Sequence, residues 1–297
     1  MLSRTGPYRQ AALLLTTRRA LSILSRPMPQ DIKTPILHHQ DLGNGNHLIE
    51  FRGAGIASGM QAAQFFMVGI PGSETLLRRP YSVCGLPGTF DDRPADAVQL
   101  LVKVVGKGTA LLAALKPGAE IHVLGPLGRG FEAPSSAAVR PVVVAGGIGS
   151  APFPALLASL RDSGGPRPRM FYGSRTAGDL PLLDWFRERT ELDVTTDDGS
   201  LERRGLVTEP LTEYLDGEDP SSMKLYVCGP DPMLRAVARM ALARGLDCEL
   251  SLEAHMACGF GVCLGCVVPT RRPGSDEVGY DRVCVEGPVM KPEVLAW

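Results

Sequence analysis

Four cysteines near the C-terminus have the types and spacing of an iron–sulfur ligand set. They follow the pattern C-x4-C-x2-C with a more distant fourth member, and they are Cys258, Cys263, Cys266 and Cys284. In this plant-type pattern four thiolates hold two irons. Gly259, Gly261 and Gly265 lie among the first three cysteines, and glycine permits the positive-φ turns that a backbone needs to curl around a small inorganic core. The motif predicts a [2Fe–2S] cluster.

Zinc and disulfides are the two other common uses of clustered cysteines. Structural zinc sites usually combine two C-x2-C pairs, or one such pair with H-x3–5-H, but Cys284 has no second cysteine or histidine close to it in sequence. Disulfides need an oxidising compartment, and nothing else in the chain is typical of a secreted protein. The cluster is therefore the favoured interpretation.

Two segments in the first half of the chain are candidates for a flavin dinucleotide site. Arg79-Pro80-Tyr81-Ser82 offers a guanidinium for a pyrophosphate, an aromatic ring for stacking and a hydroxyl. Residues 101–109 run from a strand through two glycines to a helix start, which aims backbone N–H groups at a phosphate. Thr109 as a simple helix N-cap is the alternative. With Gly125-Pro126-Leu127-Gly128, these segments favour FAD.

Three loops in the second half of the chain follow predicted strands and resemble nucleotide-binding turns. They are Gly146-Gly147-Ile148-Gly149, Gly173-Ser174-Arg175 and Cys228-Gly229-Pro230. Ligands of parallel α/β sheets bind at the carboxyl ends of the strands, so the three loops together predict a nicotinamide dinucleotide site. Asp197-Asp198-Gly199-Ser200 is a fourth candidate, with a solvated turn as its alternative. These residues are compatible with either NAD or NADP.

The elements that position the flavin segments are short strands separated by Gly and Pro. The predicted strands include His47–Phe51, Gln64–Val68, Val98–Val105 and Glu120–Val123. One helix is predicted at Thr109–Leu115, and His38 and His39 are interpreted as part of a polar lead-in. Dense turn signals between short β segments indicate an antiparallel barrel.

After residue 136 strands alternate with helices. Predicted strands are Val139–Val144, Arg169–Tyr172, Leu192–Thr195 and Leu225–Val227. Three helices are predicted: the first ends at Leu160, and the other two are Pro181–Arg189 and Asp231–Ala243. This alternation is typical of a doubly wound parallel sheet. The predicted organisation is a leader at 1–30, an FAD-binding barrel at 31–136, an NAD-binding α/β domain at 137–250 and a small [2Fe–2S] domain at 251–297.

The overall charge hides an asymmetry. The chain of 297 residues has a net charge of −1, yet residues 1–30 contain five arginines and no acidic residue. The remainder carries 26 basic and 32 acidic side chains, a balance that disfavours nucleic-acid binding. The leader has the composition of a transit peptide. A disordered or untranslated leader, with Met28 as the true start, is the favoured alternative.

The order of motifs resembles the ferredoxin–NADP reductase superfamily, in which a flavin-binding barrel precedes a nicotinamide-binding α/β domain. The motifs are R-P-x-S, V-x-G-x-G-T, G-G-I-G and C-G-P-x-x-M. The segments from His255 to Val268 and from Tyr280 to Val289 narrow the resemblance to the electron-transfer (iron–sulfur) subunits of type B, NAD-dependent dihydroorotate dehydrogenase. The resemblance covers nearly everything after residue 31.

The resemblance implies site residues at the matching positions. FAD contacts are implied for Arg79, Pro80, Tyr81, Ser82, Leu101, Val102, Lys103, Gly108 and Thr109. Cluster ligation is implied for the four cysteines, and the nicotinamide loops are represented by Gly146, Gly147, Gly149, Cys228, Gly229 and Pro230. Two departures affect loop geometry: the usual P-G-Q-F reads Ala62-Ala63-Gln64-Phe65, and the stretch from Cys84 to Val98 is lengthened around Asp91-Asp92.

The family binds FAD and one [2Fe–2S] cluster, uses NAD as co-substrate and partners an FMN-containing catalytic subunit. The resemblance therefore implies a cytoplasmic oxidoreductase subunit of pyrimidine biosynthesis, in a heterotetramer of two plus two. Dihydroorotate is oxidised on the partner, and its electrons pass through the cluster and FAD to NAD+. No residue of this chain is then needed as a substrate acid or base, which agrees with the lack of a hydrolytic constellation.

Three other functions are alternatives to this one. The first is an NAD(P)H-linked flavin and iron–sulfur reductase subunit that serves hydrogenase, sulfite reductase or ferredoxin. The second is an oxygenase reductase with a complete ferredoxin domain, which needs more than the 47 residues from Ser251 to Trp297. The third is a zinc-stabilised interaction protein without flavin.

Overall fold

The computed structural model describes residues 28–53, 55–90, 93–94, 96–161, 164–271 and 277–297. Almost all of the predicted leader and the predicted Asp91-Asp92 turn lie outside these ranges. Within them the chain forms fifteen β-strands and five α-helices. No helix in the described ranges is long and apolar enough to span a bilayer.

The first six strands close into an antiparallel barrel. Its order is β1-β2-β5-β4-β3-β6, as predicted from the dense turn signals. The strands are β1 Gln30–Gly43, β2 Asn46–Arg52, β3 Phe65–Gly69, β4 Arg79–Gly85, β5 Ala97–Lys103 and β6 Glu120–Leu127. Fully buried aromatic rings fill the interior: Phe51 and Phe66 meet edge to face with centroids 5.6 Å apart.

One local prediction in the barrel was wrong, and a predicted helix is present with bounds shifted by two residues. The predicted polar lead-in around His38 and His39 is part of β1, which pairs with both β2 and β6 and so closes the barrel. The predicted helix Thr109–Leu115 is instead α1 at Lys107–Ala113. Its start is earlier because the Thr109 hydroxyl accepts hydrogen bonds from the Val105 and Gly106 N–H groups, which places the cap at Gly106.

The second half of the chain forms a seven-stranded sheet, with order β10-β9-β8-β7-β11-β12-β15. All neighbours are parallel except β15, which is antiparallel to β12. The strands are β7 Arg140–Gly146, β8 Arg169–Ser174, β9 Glu191–Thr196, β10 Arg203–Arg204, β11 Met223–Cys228, β12 Asp247–Ser251 and β15 Val289–Met290. This is the predicted parallel α/β architecture.

The helices alternate with these strands. They are α2 Phe153–Arg161, α3 Leu183–Arg189, α4 Thr208–Leu215 and α5 Asp231–Arg244. The sequence reasoning did not find α4. In α5 the predicted apolar face is present, because Leu234, Val237 and Ala241 are buried against the sheet. A short 3-10 turn, Gly147–Ser150, lies between β7 and α2.

The cysteine-rich tail is joined to both larger units. It contains the hairpin of β13 Val267–Arg271 and β14 Val278–Arg282. The tail adds β15 to the large sheet, and the Arg129 N–H at the end of the barrel donates to the Gly287 carbonyl over 2.6 Å. The structure therefore holds the cysteine loop in a defined position relative to the barrel and to the sheet.

Candidate functional site

The first three cysteines lie on one tightly curled loop. Gly259, Gly261 and Leu264 have φ values of +80°, +90° and +58°, so two of the three predicted glycines take the left-handed conformation and Leu264 does so in place of Gly265. Side chains pack against the glycines. A Cβ on Gly259 would lie 2.4 Å from Cγ of Met67 in the barrel, and one on Gly261 would lie 2.6 Å from Cγ2 of Val285. The curl therefore needs glycine for both conformation and space.

The structure brings the four predicted cysteines together in two pairs. Cys263 acts on the pKa of Cys258, and Cys266 acts on the pKa of Cys284, so the members of each pair lie near each other. Cys266 and Cys284 are buried, whereas Cys263 is exposed and Cys258 is half-buried. Two pairs of thiols suit the two irons of a [2Fe–2S] cluster, since each iron takes two thiolates.

The electrostatics of the loop favour thiolate ligands at its outer end. Burial acts to raise the pKa of Cys258, but hydrogen bonds from backbone N–H groups of the loop outweigh it and lower the pKa to about 6. The Gly265 N–H points to Sγ of Cys263 over 3.5 Å. At the inner end, burial and the neighbouring Cys266 raise the pKa of Cys284 to about 12. Backbone N–H groups aimed at sulfur stabilise negative charge on a cluster.

The donor set is the observation that bears on the kind of metal group. Four cysteines with the plant-type spacing are the ligand set of a [2Fe–2S] cluster, whereas structural zinc sites usually combine paired C-x2-C or H-x3–5-H motifs. In the described part of the chain, no three His, Cys, Asp or Glu side chains are grouped around a single point. The number and type of the donors fit a [2Fe–2S] cluster.

The two predicted flavin segments are neighbours in space. They lie on β4 and at the end of β5, which are hydrogen-bonded strands with Val83 opposite Leu100. A Cβ on Gly108 would lie 2.6 Å from Nε of Arg79. The guanidinium therefore lies directly against the loop that contains Gly108. A guanidinium beside a loop of backbone N–H groups suits a pyrophosphate. The residues present therefore fit FAD.

The individual side chains in the flavin segments differ in what they can contact. Burial raises the pKa of Tyr81 to about 12, although the Arg79 charge opposes the rise, so Tyr81 remains a neutral ring beside the guanidinium. Leu101 and Val102 are buried, which leaves their backbone for a cofactor. The Lys103 ammonium donates to Asp179 Oδ1 over 2.8 Å, and Thr109 serves its own helix cap.

The predicted nicotinamide loops pack directly against each other. Cys228 lies opposite Ala145 on the adjacent parallel strands β11 and β7. A Cβ on Gly149 would lie 2.5 Å from the Cys228 carbonyl oxygen, and one on Gly146 would lie 2.6 Å from Cδ of Pro230. Gly147 has a φ of +53°. The two loops thus bring bare backbone together at the carboxyl edge of the sheet, the edge at which parallel α/β sheets bind dinucleotides.

The fourth candidate turn joins this edge. The Ser200 hydroxyl accepts from the Ala177 N–H over 2.8 Å and lies 2.6 Å from Oδ1 of Asp198. The Asp197 N–H donates to the Ser174 carbonyl over 3.0 Å. The turn is therefore hydrogen-bonded to the loop that carries Arg175, and its four residues are exposed to solvent.

Two residues at this edge were missed by the sequence reasoning. The Tyr172 hydroxyl lies within 3.2 Å of the Gly147 carbonyl, the Ser150 hydroxyl and the Pro181 carbonyl. Glu253 follows β12 near Cys228; burial raises the pKa of the Cys228 thiol, and the Glu253 charge adds to the rise. Sequence carries no signal for Tyr172 beyond its place at the end of a strand.

Comparison with known families adds independent findings. The family model described as the iron–sulfur cluster binding domain of dihydroorotate dehydrogenase B matches residues 253–295, and the oxidoreductase NAD-binding domain matches residues 143–239. A curated relative from Desulforamulus reducens, "Dihydroorotate dehydrogenase B (NAD(+)), electron transfer subunit", is 35% identical over 227 residues, 76% of this chain and 82% of the relative. The chain belongs to this family.

A second curated relative and two solved structures are also similar to this chain. The Bacillus caldolyticus subunit is 38% identical over 233 residues, 78% of this chain and 85% of the relative. Among solved structures, an NADH-dependent reduced ferredoxin-NADP oxidoreductase aligns with a TM-score of 0.74 and 26% identity over 89% of this chain and 90% of that one. The ferredoxin reductase in carbazole 1,9a-dioxygenase shares the fold, with a TM-score of 0.62 and 20% identity over 73% of this chain and 67% of that one.

Family membership confirms several predictions made from the sequence. The chain is an oxidoreductase electron transfer subunit, with the predicted barrel, parallel α/β sheet and iron–sulfur tail. The matched domains and the reductase neighbours support FAD, an iron–sulfur cluster and NAD as its cofactors. An electron transfer subunit requires a catalytic partner.

Proposed function

We propose that this chain carries electrons from an FMN-containing dihydroorotate dehydrogenase catalytic subunit to NAD+, in pyrimidine biosynthesis. One observation supports this most strongly: the loop of the first three cysteines exposes large apolar side chains beside a predicted cluster ligand. Cys263 is exposed, and the side chains of Phe260, Val262 and Leu264 are 53%, 73% and 60% exposed. A redox centre under an exposed apolar surface suits electron exchange with another protein.

The proposed division of roles follows the three sites. Cys258 and Cys263 would hold one iron, and Cys266 and Cys284 the other. Arg79–Ser82 with the backbone of Leu101–Lys103 and Gly108-Thr109 would bind FAD, and Gly146–Gly149 with Cys228–Pro230 would bind the nicotinamide dinucleotide. When bound, the cluster exchanges single electrons, NAD+ accepts a hydride, and FAD takes part in both kinds of transfer.

The partner is proposed to dock on the cluster-loop surface, defined here as Phe260, Val262 and Leu264. Large apolar side chains rarely stay exposed together on a surface that faces only water. Burial of this surface would exclude water from the thiols and bring the partner close to the buried sulfurs. A heterotetramer of two plus two is the proposed assembly, by resemblance to the family.

The cytoplasm is the proposed compartment. The proposal rests on the resemblance to the family. NAD rather than NADP is the proposed co-substrate, because the two relatives from Desulforamulus reducens and Bacillus caldolyticus carry NAD(+) in their names.

The function is tested by reconstitution. The chain, loaded with FAD and cluster, is mixed with a dihydroorotate-oxidising FMN protein, and NADH formation is followed with dihydroorotate and NAD+ present. We expect NADH formation that depends on both proteins. A holo-protein that NADH reduces, but that gives no dihydroorotate-linked turnover with such a partner, would contradict the proposed donor.

The docking surface is tested by substitution. Phe260→Glu and Val262→Glu place a charge at the proposed interface and should abolish co-purification with the partner, because an unpaired buried charge opposes association. Leu242→Glu is the matched control, since Leu242 is 50% exposed on α5. Cluster absorption must remain in all three variants; unchanged co-purification of both loop variants would exclude this surface.

A second candidate function has one supporting observation. The structure with a TM-score of 0.74 and 26% identity comes from a ferredoxin-linked reductase. A reductase subunit that serves ferredoxin, hydrogenase or sulfite reductase would exchange electrons with reduced ferredoxin at rates similar to those with the FMN partner. Comparison of the two donors in the same assay distinguishes the two functions.

A further inference from the structure

One carboxylate of the α/β unit receives two donors from the barrel. The Lys103 ammonium, at the end of β5, donates to Asp179 Oδ1 over 2.8 Å. The side-chain amide of Asn44, in the β1–β2 turn, donates to the same oxygen over 2.8 Å. Lys103 and Asp179 are only 22% and 29% exposed. The contact therefore joins the two units in a partly desolvated place.

The contact is reinforced by backbone and packing. The Asn46 amide donates to the Gly178 carbonyl over 3.4 Å, and the Lys103 ammonium also donates to the Asn44 carbonyl. A Cβ on Gly178 would lie 3.1 Å from Nδ2 of Asn44. The β1–β2 turn thus lies flat against the loop that contains Asp179.

The loop that contains Asp179 also supports the proposed nicotinamide site. Residues 174–182 begin at the carboxyl end of β8 with Ser174-Arg175, and the Thr176 hydroxyl donates to Asp179 Oδ2 over 3.3 Å. At its other end, the Pro181 carbonyl lies 3.1 Å from the Tyr172 hydroxyl, which also lies 3.2 Å from the Gly147 carbonyl. The loop of residues 174–182 therefore contacts Lys103, in a flavin segment, at one place and the Gly146–Gly149 turn, through Tyr172, at another.

We propose that Asp179 is a positioning residue that sets the nicotinamide site relative to the flavin site, acting through Lys103 and Asn44. This inference rests on the proposed FAD and NAD sites. Hydride transfer needs the reacting atoms about 3 to 3.5 Å apart, and a misplacement of about 1 Å can cost roughly a hundredfold in rate. A link between the domains that carry the two rings controls that distance.

The alternative is that the contact only adds stability. Ion pairs near a surface contribute little stability on average, so a purely structural role predicts a small change in melting temperature and unchanged kinetics. A positioning role predicts a kinetic change that is out of proportion to the change in melting temperature.

The test uses the full chain loaded with FAD and cluster, and NADH as the probe. Asp179→Asn keeps the size of the side chain and removes its charge. Asp216→Asn is the matched control, because Asp216 forms a 2.6 Å pair with Arg244 inside the α/β unit. Anaerobic stopped-flow reduction of the flavin, measured over a range of NADH concentrations, gives a half-saturating concentration and a limiting rate. Melting temperature and bound FAD are measured in parallel.

We expect Asp179→Asn to lower the ratio of limiting rate to half-saturating concentration about tenfold, with bound FAD and cluster retained and Asp216→Asn unchanged. Asn44→Ala should lower the ratio in the same direction, and the double variant should be no worse than Asp179→Asn alone, because both residues act through one carboxylate. Asp179→Asn kinetics equal to those of Asp216→Asn would overturn the inference. Failure of NADH to reduce the unsubstituted protein would instead contradict the proposed nicotinamide and flavin sites.

Discussion

The guanidinium of Arg282 donates from Nη1 to the Gly261 carbonyl over 3.1 Å. This bond ties the β13–β14 hairpin to the middle of the cysteine loop. The same guanidinium forms a bidentate pair with Glu286, with Nη2 2.6 Å from Oε1 and Nε 3.1 Å from Oε2. Arg282 therefore holds the loop of the first three cysteines against the segment that carries Cys284.

Arg282→Ala should weaken retention of the cluster while all four cysteines remain. Replacement of a residue that orients metal ligands through hydrogen bonds typically lowers metal affinity by about 10- to 100-fold. We expect iron release to a chelator, followed by loss of visible absorption, to be accelerated by roughly tenfold or more. Arg235→Ala, on α5, is the control and should release iron at the unsubstituted rate.

Cys263→Ser should lose the cluster and keep the flavin. The Cys263 thiol is the exposed member of the ligand set, so its replacement leaves the barrel core untouched. We expect the broad cluster absorption and stoichiometric iron and sulfide to disappear while flavin absorption remains. Cys248→Ser is the control, because Cys248 is buried in β12 and is not one of the four predicted ligands. Full iron and sulfide in the Cys263→Ser protein would contradict the ligand assignment.

Gly149→Ala should impair reduction of the flavin by NADH. The new Cβ would lie 2.5 Å from the Cys228 carbonyl oxygen, so the two nicotinamide loops must move apart. We expect the half-saturating NADH concentration to rise, or the limiting rate to fall, by about tenfold or more. Gly217→Ala is the control, because its Cβ would approach other atoms no closer than 3.9 Å. Equal kinetics in the two variants would show that the glycine turn does not line the dinucleotide site.

His47 should make the stability of the barrel depend on pH. Burial lowers the pKa of His47 below its usual 6.5, although the charge of Asp41 opposes the shift. The unfolded chain therefore binds a proton more readily than the folded chain, so this contribution to stability is complete above pH 6.5 and is lost as pH falls through the folded pKa.

Urea unfolding of the unsubstituted protein and of His47→Gln at pH 7.5 and 5.5 measures this effect. We expect the free energy of unfolding of the unsubstituted protein to fall more between these two values than that of His47→Gln. Parallel decreases in both proteins would show that His47 does not titrate in this range.

Local patterns predicted most of the fold. The apolar strand before Gly146 and the strand before Cys228 alternate with helices, and such a pattern is satisfied by a parallel sheet with little dependence on distant residues. The barrel was predicted from its turns, yet β1 was missed. The strand β1 pairs with β2 along one part and with β6 along another. Its buried and exposed residues therefore do not alternate regularly, and its sequence lacks the usual strand pattern. The missed helix α4 is short and carries Pro210.

The sequence by itself determined the chemistry of this protein. The cysteine spacing, the glycine turns and the order of the motifs are local properties of the chain. Each limits which group can bind, because residue type decides how many thiolates are available and where the backbone has no side chain. Only the tertiary structure decided the pairing of the four thiols, the contact of the two nicotinamide loops and the link from Lys103 to Asp179. These relationships join residues far apart in sequence, and they depend on how the barrel and the sheet pack, which no local pattern records.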